Sequence, residues 1–189
     1  MLTKRQLQWT GEPEADRLIS DDATALLIGF CLDQQITVEA AFMGPLRIKQ
    51  RLGTVDAAKL ARMDPAKVEK AFRTPPAVHR YPANMSSRVL SLCSTIANTY
   101  GNDASGVWTE AKDASDLQQR ITDLPGFGAM KAQSLLAVIG KHIGVRPKGW
   151  ETIAPKFPTL GDVTTVAERE AYQKQKRAHK AAIRAKAAK

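Results

Sequence analysis

The sequence predicts an all-α fold. Apolar residues recur at three- and four-residue spacing through most of its length, and no convincing stretch alternates with the period of a strand. Helix starts are marked by Asp, Ser or Thr, often with a following Pro, and stops by Gly. The pattern makes about nine to eleven helices.

Residues 1–9 read as a short polar entry segment, and Thr10-Gly11-Glu12-Pro13 turns into a short helix over 14–19. Ser20, Asp21 and Asp22 supply capping oxygens for the next helix, 23–34. Leu26, Leu27, Ile28, Phe30 and Leu32 make it apolar nearly all round, as in helices buried on most faces. Asp33-Gln34-Gln35-Ile36-Thr37 closes it with polar residues. Thr37 caps a helix to about Leu52, interrupted near Gly44-Pro45 and ended by Gly53.

Asp56 starts a helix to Met63, and Asp64-Pro65 another to Phe72, Pro at the first helical position being a strong start signal. A stiff loop over 73–82 carries Arg80 and Tyr81, which either line a pocket or pack. A helix over 84–100 buries Val89, Leu92, Cys93 and Ile96, and a loop over 101–113 holds Trp108. Helices over 114–122 and 129–142 flank Leu124-Pro125-Gly126-Phe127-Gly128. Pro125 forbids continuation of the first, and the glycines free the backbone to present bare amides. The second helix then opens with unpaired N–H groups and a positive dipole end, a combination that attracts phosphate.

Leu124-Pro125-Gly126-Phe127-Gly128, a small residue, Met130, Lys131 and Ala132 resemble the helix-hairpin-helix of the base-excision DNA glycosylase superfamily that includes endonuclease III and the 3-methyladenine glycosylases. Asp33-Gln34-Gln35-Ile36-Thr37 is similar to the DNA-facing segment of the 3-methyladenine branch. The resemblance covers roughly residues 20–155. It implies a two-lobed helical glycosylase fold over 1–170, with a basic C-terminal helix or tail over 171–189. It also implies double-stranded DNA as partner, and flipping of a damaged or alkylated base with hydrolysis of its N-glycosidic bond. Gly126, Phe127, Gly128 and Lys131 would meet DNA. Gln34 or Gln35 would fill the gap left by the extruded nucleotide, unless both amides only cap a helix end. Met130, Trp150 and Tyr81 would line the base pocket, although Met130 equally suits a core. A monovalent cation held by hairpin carbonyls is also implied.

The chain departs from that family at two places. Strand-nicking members place a nucleophilic lysine two residues after the second hairpin glycine, where this chain has Met130. Lys131 comes one place later, turned by about 100° towards phosphate or solvent. This favours a monofunctional enzyme that uses water. The family aspartate after the hairpin is also missing from Gly144-Val145-Arg146-Pro147-Lys148-Gly149-Trp150-Glu151, where Glu151 is the nearest acid. Glu151 is the candidate general base or electrostatic stabiliser, with Asp33 and Asp162 as alternatives. A non-catalytic protein of the same fold that recognises damaged or distorted DNA is the second reading.

Composition narrows the chemistry. Cys31 and Cys93 are the only cysteines, two short of an iron–sulfur cluster, and read as buried reduced thiols. His79, His142 and His179 lack ligand spacing for zinc, so no metal or other cofactor is expected. No leader or membrane-spanning run is legible, and a cytoplasmic monomer, nucleoid-associated if bacterial, is expected. Of the net charge of +9, residues 171–189 carry +7, leaving +2 for the rest. Such a segment suits a phosphate backbone or a solvated arm.

Overall fold

The computed structural model describes residues 2–4 and 6–187. Eleven α-helices and no strands are present among them: α1 (Pro13–Asp21), α2 (Ala23–Leu32), α3 (Val38–Leu52), α4 (Ala57–Ala61), α5 (Pro65–Arg73), α6 (Pro82–Thr99), α7 (Gly106–Thr109), α8 (Ala114–Thr122), α9 (Ala129–Val138), α10 (Trp150–Ile153) and α11 (Val166–Ala187). A π-helical turn, Ile139–Ile143, continues α9, and a 3-10 turn, Leu160–Asp162, precedes α11. No helix is long and apolar enough to cross a membrane.

The largely apolar α2 is the centre of the core, buried from Thr24 to Leu32. Asp22 caps it by accepting from the Ala25 N–H. Its glycine is a packing device, since a Cβ on Gly29 would lie 2.4 Å from the Phe42 ring of α3. Gly44 does the same for Leu32. That intimate contact carries α3 through Pro45 without the interruption the sequence predicts. The core absorbs the local cost of the missing N–H. α4 and α5 pack on α6, while α8 runs into the hairpin before α9.

The entry segment is not merely polar. Leu7 and Trp9 are fully buried. The Trp9 ring stands edge-on to Phe42 at 4.7 Å and to Phe30 at 6.0 Å. Its indole N–H donates to the Val163 carbonyl at 2.8 Å, closing the start of the chain onto the segment before α11. Two apolar residues in an extended stretch are too few to signal burial. Trp9→Ala is expected to cost roughly 3–5 kcal/mol, read as the loss in urea-unfolding free energy.

α11 begins inside the first predicted segment and crosses the 170/171 division as one helix, with residues 188–189 outside the described residues. Glu168 accepts from the Thr164 and Thr165 N–H groups, fixing the start. Arg169, 5% exposed, donates to the Trp9 carbonyl at 2.8 Å.

Candidate functional site

Three separate segments meet at the C-terminal end of α2. The first is the 33–37 turn. Asp33 ends α2, and Gln35 takes a left-handed φ of 55°. A glutamine there is strained, and such strain collects where a side chain is being aimed. Gln35 is exposed and its Oε1 accepts weakly from the Tyr81 hydroxyl at 3.4 Å.

Gln34 is occupied differently. Its Nε2 donates to the Cys31 carbonyl at 3.1 Å, and its Oε1 accepts from Arg88 Nη1 at 2.7 Å. His79, almost fully buried, sits 2.9 Å from the Gln34 carbonyl through Nε2, while its Nδ1 accepts from the Tyr81 N–H at 3.1 Å. Those two bonds assign the neutral Nε2–H tautomer. Burial keeps the ring below its ordinary pKa, consistent with that state. Of the two glutamines, Gln34 is therefore a brace and Gln35 is the one presented outward.

The second segment is the hairpin. Gly126 has φ +90°, and a Cβ there would lie 2.8 Å from Arg88 Cδ and 3.1 Å from Cys31 Sγ. Its backbone is thus pressed onto α6 and α2. Phe127 turns inward, its ring 6.5 Å from Phe30 and its N–H bonded to the Leu124 carbonyl at 3.0 Å. The expectation that Phe127 meets DNA is corrected for its ring, which is buried, and for its amide, which is already bonded.

Gly128, Ala129 and Met130 form the outer lip. All three are exposed, no side chain caps α9, and a Cβ on Gly128 would meet nothing within 4 Å. Their N–H groups have no acceptor among the described residues. Met130 is 67% exposed, which removes the core alternative for it. Tyr81, 42% exposed, is the other large apolar side chain left open beside the site.

Lys131 ties the first two segments together. It faces neither phosphate nor solvent, the directions its register suggests, but folds back to donate to the Cys31 carbonyl at 2.8 Å and the Gly126 carbonyl at 3.0 Å. The helix end and the hairpin each present a carbonyl without a helical partner, and one ammonium satisfies both. Burial lowers its pKa to about 8. Arg88 and His79 complete the bracing. Arg88 was not singled out in the sequence and His79 only set aside as a zinc ligand, since an arginine within an apolar helix and a histidine in a loop carry no spacing signal for a bracing role.

The third segment is α11. It lies opposite the 33–37 turn across an open cavity of about 460 Å³. Asp33, Gln35 and Thr37 line one side, and Gln173, Lys176 and Arg177 the other. Tyr172, half-buried beside Ser134 of α9, holds this part of α11 in place.

Two predicted site residues lie elsewhere. The Trp150 ring fills the space over Gly140, where a Cβ would come within 2.2 Å of it, so Trp150 is core and not a base-pocket wall. Glu151 is exposed on the short α10, which packs on α8. The loop before it is pinned at the first residue of α8, the Ala114 N–H donating to Lys148 O at 2.9 Å. The hairpin follows the other end of α8, roughly 13 Å of helix away. Glu151 does not line the cavity.

Asp162 is also committed. It ion-pairs with Lys141 and accepts from the Thr159 N–H, and these contacts outweigh burial to hold its pKa low. No group of three or more His, Cys, Asp or Glu among the described residues could hold a metal ion. Of the carbonyls in which a hairpin cation is expected, that of Gly126 is bonded to the Lys131 ammonium.

Neither a family model, nor a curated protein, nor a solved structure matches this chain.

Proposed function

We propose that this chain is a DNA-binding repair protein of the helix-hairpin-helix glycosylase type, with two helical lobes that receive a lesion-bearing duplex between the hairpin and the 33–37 turn. One observation carries the reading. The open, uncapped N-terminus of α9 lies in the same braced unit as Gln35, held outward at a left-handed backbone angle. The lip amides of Gly128 to Met130 suit a backbone phosphate. Gln35, with an amide able to donate and accept, suits the space left by an extruded base. Tyr81 and Met130 add exposed apolar surface for stacking. Lys174, Lys176 and Arg177 extend the basic face along α11.

The reaction in this reading is hydrolysis by water of the N-glycosidic bond of a damaged base, alkylated bases among the candidates. Lys131 Nζ is turned inward and tied to two carbonyls, away from the exposed lip and the cavity, which argues against a role as amine nucleophile. The test is a panel of duplexes bearing single lesions, scored for base release, strand scission and borohydride trapping. The expected result is an abasic but intact strand and no trapped adduct. A Lys131-dependent adduct would shift the protein to the strand-nicking class. Equal affinity for intact and lesion-bearing duplexes, with no base released, would remove the reading.

A second reading, a non-catalytic protein that binds distorted DNA, draws on the loop 144–149, which has no acid, and on the remote Glu151. Tight lesion binding without abasic product at protein excess would select it.

A further inference from the structure

The carboxylates of the chain divide sharply. Most are engaged: Asp22, Asp56, Asp64 and Asp113 cap helices, Asp16 accepts from the Trp9 and Thr10 N–H groups, and Asp162 pairs with Lys141. Among the described residues, those that accept no hydrogen bond and pair with no cation are Glu12, Glu14, Glu151 and Asp33. The first three are exposed, where water satisfies them. Asp33 is withdrawn from the surface and faces the cavity between the 33–37 turn and α11. A withdrawn carboxylate without a partner costs stability, so the fold retains it against its own interest.

Its surroundings suit a nucleotide. Lys131 and Lys176 are near enough to act on its charge, and the Lys131 ammonium is spent on the Cys31 and Gly126 carbonyls. Burial raises its pKa, and those two cations oppose the rise. Across the cavity, Lys176 and Arg177 offer cations to a phosphate, and Gln173 and Gln35 offer amides to a base edge.

Resting on the glycosylase reading above, we propose that Asp33 is the carboxylate facing the sugar of an extruded nucleotide, and that α11 is the second wall of the site that holds it. As the bond from C1′ to the base nitrogen breaks, its electron pair leaves with the base. Positive charge grows on C1′ and the ring oxygen, and the Asp33 carboxylate stabilises it across a short path of low dielectric. Water then bonds to C1′, and the proton it loses ends on the departing base nitrogen. Glu151 has no part in this step.

The test needs no knowledge of the lesion. Full-length protein is titrated with three duplexes: undamaged, carrying a neutral tetrahydrofuran abasic analogue, and carrying a pyrrolidine analogue that is cationic at neutral pH. Wild type should favour the pyrrolidine over the tetrahydrofuran duplex by roughly tenfold, the scale of one partly screened charge pair. Asp33→Asn should lose that preference with tetrahydrofuran affinity unchanged and melting temperature equal or higher, whereas Glu151→Gln keeps it. Gln173→Trp, which fills the cavity from the α11 side, should weaken both abasic duplexes while leaving the undamaged one alone. A preference that survives Asp33→Asn, a wild type indifferent to the cation, or a Gln173→Trp protein that binds as wild type would each overturn the assignment. Abasic duplexes bound no better than undamaged DNA would instead remove the glycosylase reading itself.

Discussion

Gly128→Val is expected to reduce affinity for duplex DNA by at least roughly tenfold, the cost of losing one charge-assisted amide–phosphate bond of about 1.5–3 kcal/mol. The fold should be unaffected. Gly128 has φ −104° and ψ 176°, an extended conformation that any residue adopts. Nothing lies within 4 Å of where its Cβ would be, so valine enters open space in front of the lip amides. Removing a glycine from a compatible position also stiffens the unfolded chain, and melting temperature should hold or rise slightly. Fluorescence anisotropy against a labelled duplex, paired with a thermal melt, reads both quantities. Unchanged affinity with an unchanged melt would show that phosphate does not approach the hairpin there. Gly126 cannot serve the same purpose, because its left-handed φ and its contact with Arg88 and Cys31 make any side chain a folding defect.

Cys93 should make the fold sensitive to alkali. It is fully buried in α6, and burial, foremost, raises its thiol from 9.0 to about 12. The native state therefore keeps a proton that the unfolded chain surrenders above pH 9. Stability linked to this thiol is complete below pH 9 and is lost, at about 1.4 kcal/mol per pH unit, as the pH climbs towards 12. Cys31, raised to about 11, works in the same direction. Lys131 works in the opposite one between about 8 and 10.5, because burial depresses its pKa and the fold prefers it neutral. The comparison is accordingly between wild type and Cys93→Ala, by urea unfolding from pH 7.5 to 11. The variant starts lower by the cost of a small cavity, and its curve should then converge on wild type as the pH rises. Parallel curves would mean the thiol is not held neutral by the core.

Much of the helical order was legible because its signals are local. Asp22, Thr37, Asp56 and Asp64 all cap helices in the structure, as their side-chain chemistry dictates. Where prediction and structure part, the cause is non-local. Pro45 stays inside α3 because Gly44 and Gly29 let that helix press onto α2. Trp9 looks like surface until Phe30, Phe42 and Val163 surround it. Trp150 and Glu151 sit next to each other in a promising loop, yet Gly140 draws the indole inward and α8 holds the loop at its far end.

By itself the sequence determined the helical class, the cap positions, the glycine hairpin and the location of the positive charge. These depend on residues within a turn or two of each other, where backbone geometry and side-chain type suffice. Only the tertiary structure decided that Gln35 is offered while Gln34 is braced, that Lys131 bonds inward, and that Asp33, alone among the withdrawn acids, has no partner among the described residues. Gln34 meets Arg88 and Lys131 meets the Cys31 carbonyl from 54 and 100 residues away, and distance in space is not written in spacing along the chain.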